Sequence, residues 1–545
     1  MQNNFWKCTI WLALFIGIAL RLWFYLLNDS FWRDETKLLL NVAQNSFLDL
    51  LKPLNYGQES PITFLWLLRA LWLSGANGEL AMRGVSLLAS LLSLLFFYLV
   101  IMHSLSDQKA RLFSIVLFAL SPGIILYAGL VKQYSIDVLV ATILLYISRT
   151  WFLSGNSDSL AIDKKKYIGT ALAPWLSLPS IFIIIAQGVG LIIKNRQKHL
   201  RRPALLLIAI GCASFTVEWL MVLHRSLMIK DLDFYLRYHS VGGWLWNFKQ
   251  VFFAYTGPNI NLVLIVGIFF ASILLLLGIS EAKRRHGLSS VVLLLLPLLL
   301  AFGGGLVKVY PLFGRCLLFA IPGIYLLIGY GISSFSRLTR GSIISSAVIF
   351  VLLLFPCLTE TLHSYTKSIG GVREALEFIA DRQHNTDVVL CDAYSAPSIV
   401  YYRLIGRPSA TVLKFALEPE KQIEGNAVAD DLPSNVCSTA YARQRVWLIS
   451  ETIFYARGDG DTKLFQRYLV KILHLQRFIE KQQARFLSKE DAMLDYWRTT
   501  LQNVSAKRQV FDQYSTNRVQ VYGFDIQSMN TGNLFPHGNQ PGSNP

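Results

Sequence analysis

Long apolar stretches separated by short basic ones fill the first 357 residues, and the chain after them is mixed and polar. A membrane span takes about 20 mostly apolar residues. Such stretches lie at about 5–27, 82–104, 111–131, 134–153, 168–178, 180–194, 203–224, 259–280, 289–307, 315–332 and 342–357. The piece at 168–178 is short for a straight crossing and reads as a half-span broken at Pro174 and Pro179. The count is therefore about 11 spans, changing by one or two with how that piece is treated. The first stretch has Lys7 at its start and no small-residue cleavage site after it, and predicts a retained signal anchor.

Between the first two spans lies an outer loop, 28–81, that is not a polar linker. Leu39, Val42, Ala43, Phe47 and Leu50 recur at helical spacing, as do Ile62, Leu65, Trp66 and Leu68. Both segments predict amphipathic helices at the membrane interface, packed on neighbouring spans or forming a platform over a membrane-level site. After 357, helices are expected at 372–382, 394–404 and about 462–486, with strands at 387–391, 446–449 and 519–524. The predicted fold is thus an α-helical polytopic membrane domain, 1–357, followed by a soluble α/β domain, 358–526, with 527–545 too rich in Asn, Gly and Pro to pack.

Composition agrees with this reading. Hydrophobic residues make up 53% of the 545, charged residues only 16%, and mean hydropathy is +0.43. The net charge of +17 is a signature of nucleic-acid binding only if it clusters on a soluble part, and it does not. Residues 1–357 hold 30 Lys/Arg against 14 Asp/Glu, whereas 358–545 hold 21 against 20. The loops near 105–111, 154–167, 194–202, 281–288 and 333–341 carry 15 Lys/Arg, and with the N-terminus inside all of them face the cytoplasm. The same alternation puts the loop 28–81, the loop 225–258 and the polar tail outside, and excludes nucleic acid as a partner. Of the six cysteines, Cys391 and Cys437 lie in that tail, where pairing is open to them; the nine His and the Cys form no zinc-type cluster.

Ionisable residues recur at the outer ends of the spans. Trp32-Arg33-Asp34-Glu35 puts two carboxylates just past the first span, as a base for a hydroxyl proton needs, or as a hydrated turn with Asp34 capping the next helix. Tyr56-Gly57-Gln58-Glu59-Ser60-Pro61 is a polar knot whose Tyr56, Gln58 and Glu59 suit sugar hydroxyls, or simply a turn. Lys132-Gln133-Tyr134 with Asp137 interrupts apolar sequence; Lys132 suits a phosphate, the alternative being a Lys–Asp pair that steadies the hairpin. Lys308-Val309-Tyr310-Pro311 and Arg315 form a further group, Arg315 fit for bidentate phosphate contact or for interfacial anchoring. The loop 225–258 contributes His239 as a sugar or acceptor contact in a lid, or as a structural histidine. Glu218 is the clearest acid inside a span and approaches the outer end.

The order W-R-D-E, K-P-L-N-Y-G-Q-E-S-P, A-M-R-G-V-S-L-L, V-K-Q-Y-S-I-D and Y-P-L-F-G-R resembles the polyprenyl-phosphate-sugar-dependent glycosyltransferases of the C superfamily, over most of 1–357. Relatives include protein O-mannosyltransferases and transferases that add aminoarabinose or galacturonate to lipid A. The resemblance implies a lipid-linked sugar donor, an extracytoplasmic acceptor (glycolipid, polysaccharide or protein) and a place in a bacterial inner membrane. It makes Asp34 the catalytic base supported by Glu35, puts Asp137 at a second acidic position near acceptor or cation, and gives donor phosphate to Lys132, Arg315 and Tyr134. Ile62 stands where many relatives have a second Pro, and Gln58-Glu59 departs from common variants, so acceptor choice stays open. No certain cofactor is implied, and a divalent ion at Asp34 or Asp137 is an open alternative. The reading from another class is a transporter or flippase for lipid-linked saccharides; a third is a non-catalytic assembly factor.

Overall fold

The computed structural model describes residues 2–27, 30–152, 164–194, 198–223, 262–307, 309–312, 314–339, 343–354, 358, 371–384, 387–391, 395–411, 413, 445–451, 512–515 and 519–525. The predicted helix at 462–486, the tail 527–545, Lys308, Cys437 and the loop 225–258 with His239 lie outside them. The chain divides into two compact units. One comprises 1–28 and 41–367; the other comprises 368–545 together with 29–40, a stretch that the sequence reading placed in the first outer loop.

The first unit is helical. Its elements are α1 Gln2–Leu26, the end of α2 Arg33–Gln44, α3 Ile62–Leu73, α4 Glu79–Ser104, α5 Gln108–Ala119, α6 Pro122–Ala128 and α7 Tyr134–Phe152. These are followed by α8 Lys164–Leu176, α9 Ser180–Lys194, α10 Lys198–Glu218, α11 Leu262–His286, α12 Leu288–Leu306, α13 Ile321–Leu338 and α14 Ile343–Ile349. Six helices among the described residues are long and apolar enough to cross a membrane, or seven if α5 and α6 count as one bent span. This is the make-up of a polytopic membrane protein.

The stretch expected to be one span over 111–131 is instead two helices bent by 45°. Pro122 starts α6 at a first-turn position, where its missing N–H costs nothing, and so ends the ladder of α5. The break leaves the last carbonyls of α5 without helical donors. Arg21, in the apolar run of α1 and fully buried, supplies them: its guanidinium donates to the carbonyls of Ala119 (3.0 Å) and Phe118 (3.3 Å), and also to Gly17 O and Ser90 Oγ.

The helix α13 is almost entirely buried and forms the centre of the bundle. Its neighbour α11 approaches so closely that a Cβ at Gly331 would overlap the Leu274 carbonyl, and one at Gly278 the Leu327 carbonyl. Without lipid-driven hydrophobic force, such small-residue contact is how apolar helices gain packing energy. By contrast α1 exposes Trp11, Phe15 and Trp23, a surface suited to acyl chains. The helix α3, expected to be amphipathic, is apolar on both faces: Phe64, Leu65 and Leu68 are buried while Trp66, Leu67 and Leu73 are exposed.

In the second unit β1 Val388–Cys391, β2 Arg445–Glu451, β3 Asp512–Ser515 and β4 Val519–Asp525 form one mixed sheet of order β1-β2-β4-β3. The strands β1 and β2 are parallel, so the chain between them makes a crossover; the other pairs are antiparallel. The helix α15, Val372–Ala380, buries Val372, Ala375, Leu376 and Ile379, one face at helical spacing, and packs on β2, β3 and β4. The helix α16, Ala396–Leu404, receives the segment 30–36: Phe31 N–H donates to Tyr402 Oη (2.8 Å), Thr36 and Ser398 hydroxyls meet at 3.2 Å, and the Phe31 ring stands edge-on to Tyr401.

Removing the Arg21 guanidinium strips buried carbonyls of a charged donor. Arg21→Met is expected to lower stability by about 2–4 kcal/mol, read as a lower unfolding midpoint of the purified protein, with Arg21→Lys between it and wild type.

Candidate functional site

The helix α2 begins at the tetrapeptide singled out above. Thr36 N–H bonds to the Trp32 carbonyl, so Trp32 caps the helix and Glu35 is its third residue. Glu35 is fully buried, and its Oε2 accepts the Trp32 backbone N–H at 2.9 Å, the return half of a capping box. The capping considered for Asp34 is thus supplied by Glu35, while Asp34 stands half-buried at the second position, where its charge also favours the helix start. Both belong to the second unit.

In the first unit the knot before α3 is an unusual turn. Tyr56 and Gly57 both have φ of 63°, and for Tyr that left-handed conformation is strained. Three side chains from far along the sequence, two of them neighbours, hold the residues that follow. Lys132, only 7% exposed, donates from Nζ to Gln58 Oε1 at 2.8 Å. Gln133 Nε2 donates to the Glu59 carbonyl at 3.1 Å. Glu218 Oε1 accepts the Ile62 backbone N–H at 3.1 Å, at the start of α3.

Asp137 lies one turn along from Gln133, its own N–H bonded to the Gln133 carbonyl, and is 5% exposed. The Ser177 hydroxyl lies beside it, and Glu218 is near enough to act on it through space. Asp137 Oδ1 and Glu218 Oε2 are buried and have no hydrogen-bond partner among the described residues. The turn Gly314–Ala320 packs on α7 and brings Arg315 and Cys316 to the same place; Cys316 feels Arg315, Asp137, Tyr134 and Glu59. Tyr310 donates from its hydroxyl to the Cys316 carbonyl at 2.5 Å. Burial, and then the nearby Cys316, Asp137 and Tyr134, hold its phenol well above the usual range, so it stays a neutral hydrogen-bonding group. The Tyr134 ring stands against that of Tyr127, at 4.7 Å.

The structure therefore brings Gln58, Glu59, Lys132, Tyr134, Asp137 and Arg315 into one polar cluster and adds Ser177, Glu218, Tyr310 and Cys316. Glu218 was visible as an acid within an apolar run, a pattern that marks a site by default. Ser177 gives no such signal. Chemically the cluster offers two cations for an anionic group, and unsatisfied carboxylate oxygens for hydroxyls. Among the described residues no three His, Cys, Asp or Glu converge as metal ligands, although two carboxylates suffice for a Mg²⁺ that keeps its waters.

No family model and no curated protein sequence matches the chain. Solved structures do show likeness. ArnT from Cupriavidus metallidurans in the apo state is 13% identical, over 95% of this chain and 98% of that one, with a TM-score of 0.47. The same protein bound to undecaprenyl phosphate gives 12% identity, 96% and 98% coverage and 0.43. The apo oligosaccharyltransferase of Archaeoglobus fulgidus gives 12%, 85% and 72%, and 0.48.

Two substitutions separate structural from chemical roles. Glu35→Ala is expected to cost about 1 kcal/mol through the lost cap, read in thermal unfolding, and Asp34→Ala less. Glu218→Leu orphans the Ile62 N–H. A cysteine introduced by Ser60→Cys, at a site buried in wild type, is then expected to react about tenfold faster with a water-soluble thiol reagent, whereas Glu218→Gln leaves it protected.

Proposed function

We propose that the chain is a membrane glycosyltransferase that moves a sugar from a polyprenyl-phosphate donor to an extracytoplasmic acceptor, with inversion at the anomeric carbon. The observation that carries this reading is the convergence of buried Lys132 and half-buried Arg315 with buried Asp137 and Glu218 around a strapped loop at the end of apolar helices. A donor with a lipid tail and a phosphate requires that combination: apolar walls for the prenyl chain and cations at its head.

In this reading an acceptor hydroxyl oxygen attacks the anomeric carbon while the carbon–oxygen bond to phosphate breaks. The bonding pair leaves with the polyprenyl phosphate, and the hydroxyl proton passes to Asp34. Phosphate accepts the released charge without needing a proton, so fixed cations matter more than an acid on the leaving side. Lys132 and Arg315 take that part, with Tyr134 beside them, and Asp137 and the Gln58-Glu59 turn with Tyr56 receive sugar or acceptor hydroxyls. Single displacement is the course of a reaction that uses one base and one leaving group without a covalent intermediate. The reading also puts the N-terminus in the cytoplasm, the second unit outside, and the protein in a bacterial inner membrane.

Purified protein given labelled polyprenyl-phosphate sugar and membrane acceptor is expected to transfer label. Asp34→Asn is expected to slow transfer by about 10²–10⁴-fold with donor KM little changed. Lys132→Ala is expected to lower kcat by about 10²-fold through lost stabilisation of the leaving phosphate. Undiminished transfer by Asp34→Asn, or movement of lipid-linked sugar across proteoliposomes without bond formation, overturns the reading.

A further inference from the structure

The charged cluster of the first unit that the proposed reaction does not use lies at the other end of the central helix. Glu281, 3% exposed near the end of α11, is paired with three guanidiniums: Arg284 at 2.9 Å, Arg337 of α13 at 2.5 Å, and Arg285. Arg285 also donates to Ser106 Oγ at 3.1 Å, tying in the connection between α4 and α5. One carboxylate balances one cation, so this cluster keeps a surplus of two positive charges, and the exposed Lys283 adds another. The Arg284 and Arg337 side chains are 61% and 48% exposed. Pairs that open to water contribute little stability, so folding does not explain why three Arg surround one Glu.

The position of the cluster says what completes it. Arg315 stands just before α13, and Arg337 lies in its last turn. The 18 residues of α13 span about 27 Å, close to the thickness of the hydrocarbon core. The Arg cluster therefore sits one membrane thickness from the polar cluster, at the headgroup level of the opposite leaflet. Groups at that level with phosphodiester charge and planar oxygens suited to guanidinium are anionic phospholipid headgroups.

We propose that Arg284 and Arg337, held in place by Glu281, bind the phosphate of an anionic phospholipid in the leaflet opposite the polar cluster. This goes beyond the proposed reaction and stands or falls apart from it. The test is native mass spectrometry of the delipidated full chain offered phosphatidylglycerol or phosphatidylcholine. Wild type is expected to prefer phosphatidylglycerol by about tenfold or more, and the double variant Arg284→Gln, Arg337→Gln to bind it roughly 20-fold more weakly. Arg284→Gln alone leaves Glu281 two guanidiniums and a sound fold, and is expected to cost about fivefold. Lys165→Gln, an exposed charge outside the cluster, is expected to change nothing. Equal binding of the two lipids would reduce the cluster to a topology signal and overturn the proposal. So would a double variant that binds like wild type, or displacement of the lipid by equimolar inorganic phosphate.

Discussion

A charge inside an apolar bundle has to be met by a partner where it stands, and that requirement organises the first unit. Lys132 cannot stay buried without an acceptor, and the acceptor it has, Gln58, lies in a loop 74 residues earlier. Satisfying one side chain therefore fixes a loop, and the neighbouring Gln133 and the distant Glu218 fix the same loop. Arg21 follows the same logic at the break between α5 and α6, where broken-helix carbonyls and a buried guanidinium satisfy each other. Only the seven-residue helix α6 separates that break from the connection carrying Lys132, so the two solutions are mechanically continuous.

What was legible in the sequence is what lipid dictates locally. Long apolar runs become helices because no other backbone arrangement of one segment satisfies itself in hydrocarbon, and α1, α4, α11, α12 and α13 fall where those runs predict. The strands β1, β2 and β4 were legible for a related reason: short runs rich in Val, Ile and Tyr between polar stretches. What was not legible depends on which ends meet. Ser121-Pro122 marks a helix start in plain view, yet within a continuous apolar run it reads as part of a span. Arg21 reads as one more polar residue near a span end until the carbonyls it serves are known. Ser177 and Glu218 gain their place only through Asp137 and Ile62, contacts that no spacing rule connects.

The adjacent acids Asp34 and Glu35 show how a motif divides between structure and chemistry. Consecutive residues on a helix point about 100° apart, so two neighbouring carboxylates do not serve one point. Glu35 is turned back onto the Trp32 N–H and buried. Its work is to fix the first turn of α2, and with it the direction in which Asp34 projects. A base is useful only if its direction is fixed, since proton abstraction needs hydrogen-bond reach. If Asp34 is the base, as proposed, the Glu35 cap beside it meets that need.

The choice of partner for Lys132 carries the same lesson for the anion-binding side. The Gln58 amide oxygen accepts from the Lys132 ammonium at 2.8 Å and orients it. If donor phosphate binds Lys132 as proposed, its oxygen is a stronger acceptor than an amide, and exchange of Gln58 for phosphate would release the turn that Gln58 belongs to. In the proposed reaction, strain at Tyr56 would then have a physical role: it would keep the resting contact weaker than the one made with the donor, so that Lys132 is oriented before the donor arrives and turns to it afterwards.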